Sequence, residues 1–153
     1  MNDRDPAAQA DRITEVFDLV GPLYRRTYRK VEQDSSQEGL SVGVRAVLVM
    51  LYGDGPMTVP QMGRAQSLSR QFVQRMVNEA GAGGLVETVP NPAHKRSALV
   101  RLTDEGRSVI GAVRDRERAI FVQIARELDD ADVDACIRVL SRMVALLDHV
   151  DMD

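Results

Sequence analysis

The stretch TVPQMGRAQSLSRQFVQRMVNEA, Thr58 to Ala80, decides the fold. Thr58 can accept a hydrogen bond from a first-turn amide, and Gln61, three residues on, can reach back to the amide of Thr58; together they form a capping box. Pro60 falls in the first turn, where its missing N–H breaks no helical bond. The spacing predicts a short helix with Met62 and Ala65 turned inward. Gln66-Ser67-Leu68 then turns the chain, and Ser69 caps a second helix. In that helix Phe72, Val73, Met76, Val77 and Ala80 follow the period of one buried stripe. The opposite face carries Arg70, Gln71, Gln74, Arg75 and Asn78. Arginine can make two bonds to guanine, and glutamine or asparagine two to adenine. The same composition also suits an ordinary solvated face, so its weight comes from its place on the second of two capped helices.

Downstream, Gly81, Gly83 and Gly84 end the helix, since glycine readily takes the left-handed conformation of C-terminal caps. Leu85 to Val89 is rich in β-branched residues and reads as a strand, Pro90-Asn91-Pro92 breaks it, and Ala98 to Leu102 returns as its partner. Lys95 and Arg96 lie at the hairpin tip, where cations can probe phosphates or a minor groove, although a basic solvated turn has the same appearance. A capped helix pair followed by a basic hairpin is a winged helix-turn-helix.

Charge is distributed to match. The 153-residue chain carries a formal charge of −3, yet Met57 to Thr103 holds six cations against Glu79 and Glu87, a local +4 that leaves −7 elsewhere. A basic module on an acidic body is the footprint of a nucleic-acid reader with a separate assembly region. Cys136 is the sole cysteine, which excludes an intrachain disulfide and a cysteine-based metal cluster. It sits in an apolar helical pattern, where a small packed hydrophobe is expected in preference to a redox sensor. No apolar run is long enough to span a membrane and the N-terminus lacks the features of a signal peptide, so a cytoplasmic location is expected.

Outside the module, residues 9–33 show Ile13, Val16, Phe17, Val20, Leu23, Tyr24, Tyr28 and Val31 at helical spacing, with Gly21-Pro22 predicting a kink or two helical pieces. Met1 to Ala8 is expected to be loose, Arg25 to Lys30 to be a solvated basic flank, and Asp34 to Gly39 to be a polar loop. Ser41 caps a helix with Val44, Val47, Leu48 and Leu51 buried, ending at Gly53-Asp54-Gly55-Pro56, and Met57 is placed to pair with the wing. Thr103 caps a long helix through Leu128, which becomes highly charged between Val113 and Ile120. Asp129-Asp130 starts a last helix with a wide apolar face. The expected fold is mainly α with a small β-wing (α+β). A DNA-binding domain spans 41–103, flanked by helices over 9–33 and 104–150 that need a second copy of the chain to bury them, hence a homodimer.

On these residues the chain resembles the MarR family of winged-helix transcriptional regulators over nearly its whole length. The most specific marks are Leu68-Ser69-Arg70-Gln71 opening the recognition helix, Gly84-Leu85-Val86-Glu87 entering the wing, and Leu99-Val100-Arg101-Leu102-Thr103-Asp104-Glu105-Gly106 leaving it. The resemblance implies a dimer on a pseudo-palindromic operator, often a repressor, released by a small phenolic or other apolar anion bound between the two regions. Tyr24, Tyr28, Arg45 and Met50 fall on elements bordering the family's usual ligand site. From the pattern alone, core packing suits Met50 and solvation suits Arg45. There are departures. Asn91 and His94 stand where the family wing usually has aspartates, which removes the carboxylate that would orient a recognition-helix arginine, and Gly81-Ala82-Gly83-Gly84 should weaken the last turn of that helix. The peroxide-sensing members' N-terminal cysteine is missing.

The expected division of labour gives base reading to Arg70, Gln71, Gln74 and Arg75, phosphate holding to Ser69 and Arg64, and backbone or minor-groove contact to Lys95 and Arg96. The competing reading is a winged-helix protein-interaction module without DNA binding, supported by the acidic total and the missing wing aspartates. An enzyme finds no support: His94 and His149 are the only histidines, and no nucleophile triad, phosphate loop, metal set or cofactor motif is present.

Overall fold

A computed structural model describes residues 5–33 and 39–148, so all but Gly39 of the loop expected at 34–39, and His149, lie outside the described residues. Among the described residues six helices and one hairpin follow in order: α1 (Pro6–Gln33), α2 (Val42–Asp54), α3 (Val59–Gln66), α4 (Arg70–Ala82), β1 (Val86–Val89), β2 (Leu99–Leu102), α5 (Asp104–Ala125) and α6 (Asp130–Leu147). One compact unit reaches Arg116 and a second begins at Glu117.

Local chemistry sets most of these boundaries. Asp5 precedes Pro6 and its side chain accepts from the Ala7 amide at 3.0 Å, so α1 starts earlier than the expected Gln9. It also runs unbroken through Gly21-Pro22 as a single helix, not two pieces. The proline has no N–H to offer the preceding turn, but one missing bond does not stop a 28-residue helix. Ser41 caps α2 through the Val44 amide at 3.2 Å, and Gly55, at φ 79°, ends it.

The core of the first unit gathers Val31 of α1, Leu48 and Leu51 of α2, Met62 of α3, Val73 of α4 and Ile110 of α5, each almost completely buried. The hairpin is antiparallel, pairing Val86 with Leu102 and Val89 with Leu99. Met57 adds a bridge to Val100 with two backbone bonds of 3.1 and 2.8 Å, as its sequence position suggests. Thr103 then ties the wing to α5. Its hydroxyl donates to the Gly84 carbonyl at 2.6 Å and accepts from the Gly106 amide at 3.0 Å, while its own amide donates to the Leu85 carbonyl at 3.1 Å.

In the second unit α6 has no buried residue: Ile137, Val144 and Leu147 are each more than half exposed. Asp129 occupies its N-cap position without a side-chain cap bond, and Asp130 and Asp132 place negative charge in the first turn. In the first unit α1 similarly leaves Phe17, Leu19 and Leu23 uncovered. No described helix is long and apolar enough to cross a membrane.

Candidate nucleic-acid interface

Both helix starts in the deciding stretch are built as their sequences dictate. The Thr58 amide donates to Gln61 Oε1 at 2.8 Å and the Gln61 amide donates to Thr58 Oγ1 at 3.3 Å, a complete capping box. Ser69 Oγ accepts from the Phe72 amide at 3.1 Å. One expectation fails here: Ala65 is exposed, and Gly63 joins Met62 as the buried residue of α3. The turn explains the exchange. Leu68 folds back to donate to the Gly63 carbonyl at 2.9 Å, and its own carbonyl lies 3.0 Å from where a Cβ on Gly63 would stand, a tight approach that favours glycine at the inner position. Ser67 takes the left-handed conformation, φ 51°, to make that turn.

The outer face of α4 is polar and exposed apart from Phe72, which is half-buried and lines the same concavity instead of joining the buried stripe expected of it. Arg70, Gln71, Gln74, Arg75 and Asn78 all project to solvent, while Val73, Met76, Val77 and Ala80 are buried beneath them. Ser69, Arg70, Gln71, Phe72, Gln74, Arg75 and Asn78 line one broad concavity of about 1050 Å³. Within it two side chains are already engaged. The Arg75 guanidinium lies 5.2 Å from the Phe72 ring centroid, and Gln74 Nε2 donates to Asn78 Oδ1 at 2.9 Å.

A second hollow, about 230 Å³, joins the recognition helix to the wing. Val59, Val77 and Val100 give it apolar walls, and Arg70 of α4 and Arg96 of the wing both line it. The structure thus unites Arg70 and Arg96, which the sequence places far apart. Lys95 stays at the exposed tip and Arg64 on the exposed face of α3, neither lining the two hollows.

The wing tip copes with its missing aspartates. Asn91 Oδ1 accepts from the Ala93 amide at 3.0 Å, an Asx turn that an aspartate would also make, and the His94 amide donates to the Asn91 carbonyl at 3.3 Å. Arg101 is held across the strands by Glu87 at 2.7 Å, so this cation serves the wing itself. The recognition helix continues through Gly81 to Ala82 before Gly84, at φ 72°, turns the chain into β1.

The residues considered for a small ligand separate. Tyr28, Val31, Glu32, Leu40, Arg45 and Val113 surround a cavity of about 270 Å³ that Gly39 also borders. Arg45 is buried, not solvated as its charge suggests, because its guanidinium lies 4.8 Å from the Tyr28 ring centroid. Tyr28 donates its hydroxyl to the Leu40 carbonyl at 3.0 Å. Burial pushes the Tyr28 phenol above the ordinary tyrosine value, the Glu32 carboxylate raises it further, and Arg45 offsets part of this. Tyr24 stacks on Tyr28 at 6.3 Å but is largely exposed, and Met50 is packed in the core; neither lines the cavity. Glu32, Leu40 and Val113 were not legible as lining residues, since they come from three separate segments with no shared motif.

A family model described as MarR family matches residues 38–97. The uncharacterized protein Rv2011c of Mycobacterium tuberculosis is 35% identical over 135 residues, covering 88% of this chain and 91% of that protein. The transcriptional repressor NicR of Pseudomonas putida is 23% identical and covers 85% of each chain. Among solved structures, the MarR family transcription regulator SP03579 superposes with a TM-score of 0.73 at 30% identity, covering 95% of this chain and 98% of that one. The chain belongs to the MarR family of winged-helix transcription regulators, DNA-binding proteins and not enzymes.

Proposed function

We propose that this regulator acts as a homodimer on a pseudo-palindromic operator, as a repressor that a small apolar or phenolic anion releases. The observation that carries the operator reading is the α4 face, where Arg70, Gln71, Gln74 and Arg75 stand exposed over a buried stripe beside the wing cation Arg96. These four read bases. Ser69 and Arg64 hold phosphates at the edge of the groove, and Lys95 and Arg96 contact backbone or minor groove.

Dimerisation is supported by the uncovered apolar residues of α1 and α6, which a second copy of the chain buries. In the domain plan, 41–103 reads DNA while 9–33 and 104–150 assemble the dimer. Two recognition helices then meet successive major grooves about 34–36 Å apart. Repression follows NicR, named as a repressor. Release by ligand rests on the cavity at Tyr28 and Arg45, where the buried Arg45 can meet an anion beside the Glu32 carboxylate that shares the lining, and Val31, Leu40 and Val113 favour an apolar body. Its 270 Å³ lies just below the ~300–1,000 Å³ of drug-sized sites, which fits a compound with a single ring.

Selection from a random double-stranded DNA pool at moderate salt, followed by sequencing, tests the operator reading. An inverted repeat is the expected product. A folded, dimeric sample that enriches no sequence would overturn it in favour of a protein-interaction module.

A further inference from the structure

We infer that Asn78 is a positioning residue for base recognition, fixing which way the Gln74 amide faces the DNA; this rests on the reading of α4 as the base-reading helix. Gln74 Nε2 donates to Asn78 Oδ1 at 2.9 Å, one helical turn apart on the exposed face of α4. A glutamine amide has two N–H bonds and one carbonyl oxygen. With one N–H committed to Asn78, Gln74 is left with one donor and one acceptor side by side. That pair matches adenine, which presents an N6 donor and an N7 acceptor in the major groove. An unanchored glutamine rotates among several orientations and must be ordered when DNA binds. The anchored one meets the base with its direction chosen.

In the free protein the Gln74–Asn78 bond is open to water and contributes little to the helix. Once DNA covers the concavity, water leaves and the same bond becomes stronger and its loss more costly. Asn78 thereby sets specificity more than stability. Its location away from the buried stripe of Val73, Met76, Val77 and Ala80 makes substitution compatible with folding.

The test compares the operator preferences of parent, Gln74→Ala, Asn78→Ala, Asn78→Asp and the Gln74→Ala/Asn78→Ala double variant by selection and sequencing, with affinities measured on single-base variants of the recovered site. Asn78→Ala is expected to lower adenine discrimination about tenfold at the same base position that Gln74→Ala affects. The double variant should lose no more there than Gln74→Ala alone. Asn78→Asp can only accept, so it should keep the adenine preference at that position while its charge weakens binding to every sequence. A change at a different position, additive with Gln74→Ala, would mean that Asn78 touches a base itself and overturns the inference. So would an Asn78→Ala preference identical to the parent's. If the parent enriches no sequence, the reading of α4 falls and the inference with it, an outcome distinct from loss of the coupling alone.

Discussion

Gly106→Ala offers a demanding test of how the wing is joined to α5. In an exposed helix the change should help, because alanine is about 1 kcal/mol more favourable than glycine in a helix interior. Here a Cβ on Gly106 would overlap the Leu85 carbonyl oxygen and stand 2.8 Å from the Leu85 carbonyl carbon. Those atoms are backbone and cannot rotate away. The helix must shift, and with it the junction in which Thr103 bonds to Gly84, Leu85 and Gly106. Overpacking of this kind costs about 1–3 kcal/mol. Weakening two hydrogen bonds adds about 0.5–1.5 kcal/mol each. Setting these against the propensity gain leaves a net loss of about 3 kcal/mol. For a chain of this size that lowers Tm by roughly 6–12 °C. Gly111→Ala is the control on the same helix, since its Cβ meets only Tyr52 at 3.7 Å, an ordinary contact. It should be neutral or stabilising. Urea and thermal unfolding at matched protomer concentration check both. If Gly106→Ala proves as stable as Gly111→Ala, the close approach of α5 to Leu85 is not a constraint on this fold.

Arg96→Ala should weaken binding to all sequences and make log affinity fall less steeply with log salt, by about 0.9 in slope for each phosphate the wing no longer neutralises. Arg75→Ala should instead alter base preference, and quantitative binding to operator variants at several salt concentrations separates the two. Val144→Asp, on the uncovered face of α6, should shift the mass seen by light scattering from twice the 16.9 kDa chain toward one copy. If the cavity is the effector site, Arg45→Met should preserve operator binding and abolish its release by an aromatic carboxylate that releases the parent; retained release would remove Arg45 from that site. For Tyr28 the sign is fixed by its raised pKa: the folded chain holds the phenol proton more tightly than the unfolded chain, so this contribution is full below about pH 10 and is lost as pH rises through the higher folded value. Denaturant titrations should therefore show the parent losing more stability above about pH 10 than Tyr28→Phe does.

Much of the module was determined by sequence alone because its signals are local. The capping box of Thr58 and Gln61, the Ser41 and Ser69 caps and the Thr103 cap each join residues three apart, so the chain itself fixes their partners. The α4 stripe and the polar face above it follow from a 3.6-residue period in the same way. Continuity of α1 through Pro22 was less legible, since proline weakens a helix without dictating whether its neighbours hold it together.

What tertiary structure decided are the encounters between segments remote in sequence. Ala65 and Gly63 exchange burial because the turn at Leu68 returns to α3, and Arg45 is buried because Tyr28 of another helix covers it. Arg70 and Arg96 line one hollow only when the wing folds back beside α4, and a side chain at Gly106 is costly only because Leu85 arrives against it. Periodicity tells a residue which face of its helix it occupies. What stands opposite that face is set by packing among elements, which no local spacing encodes.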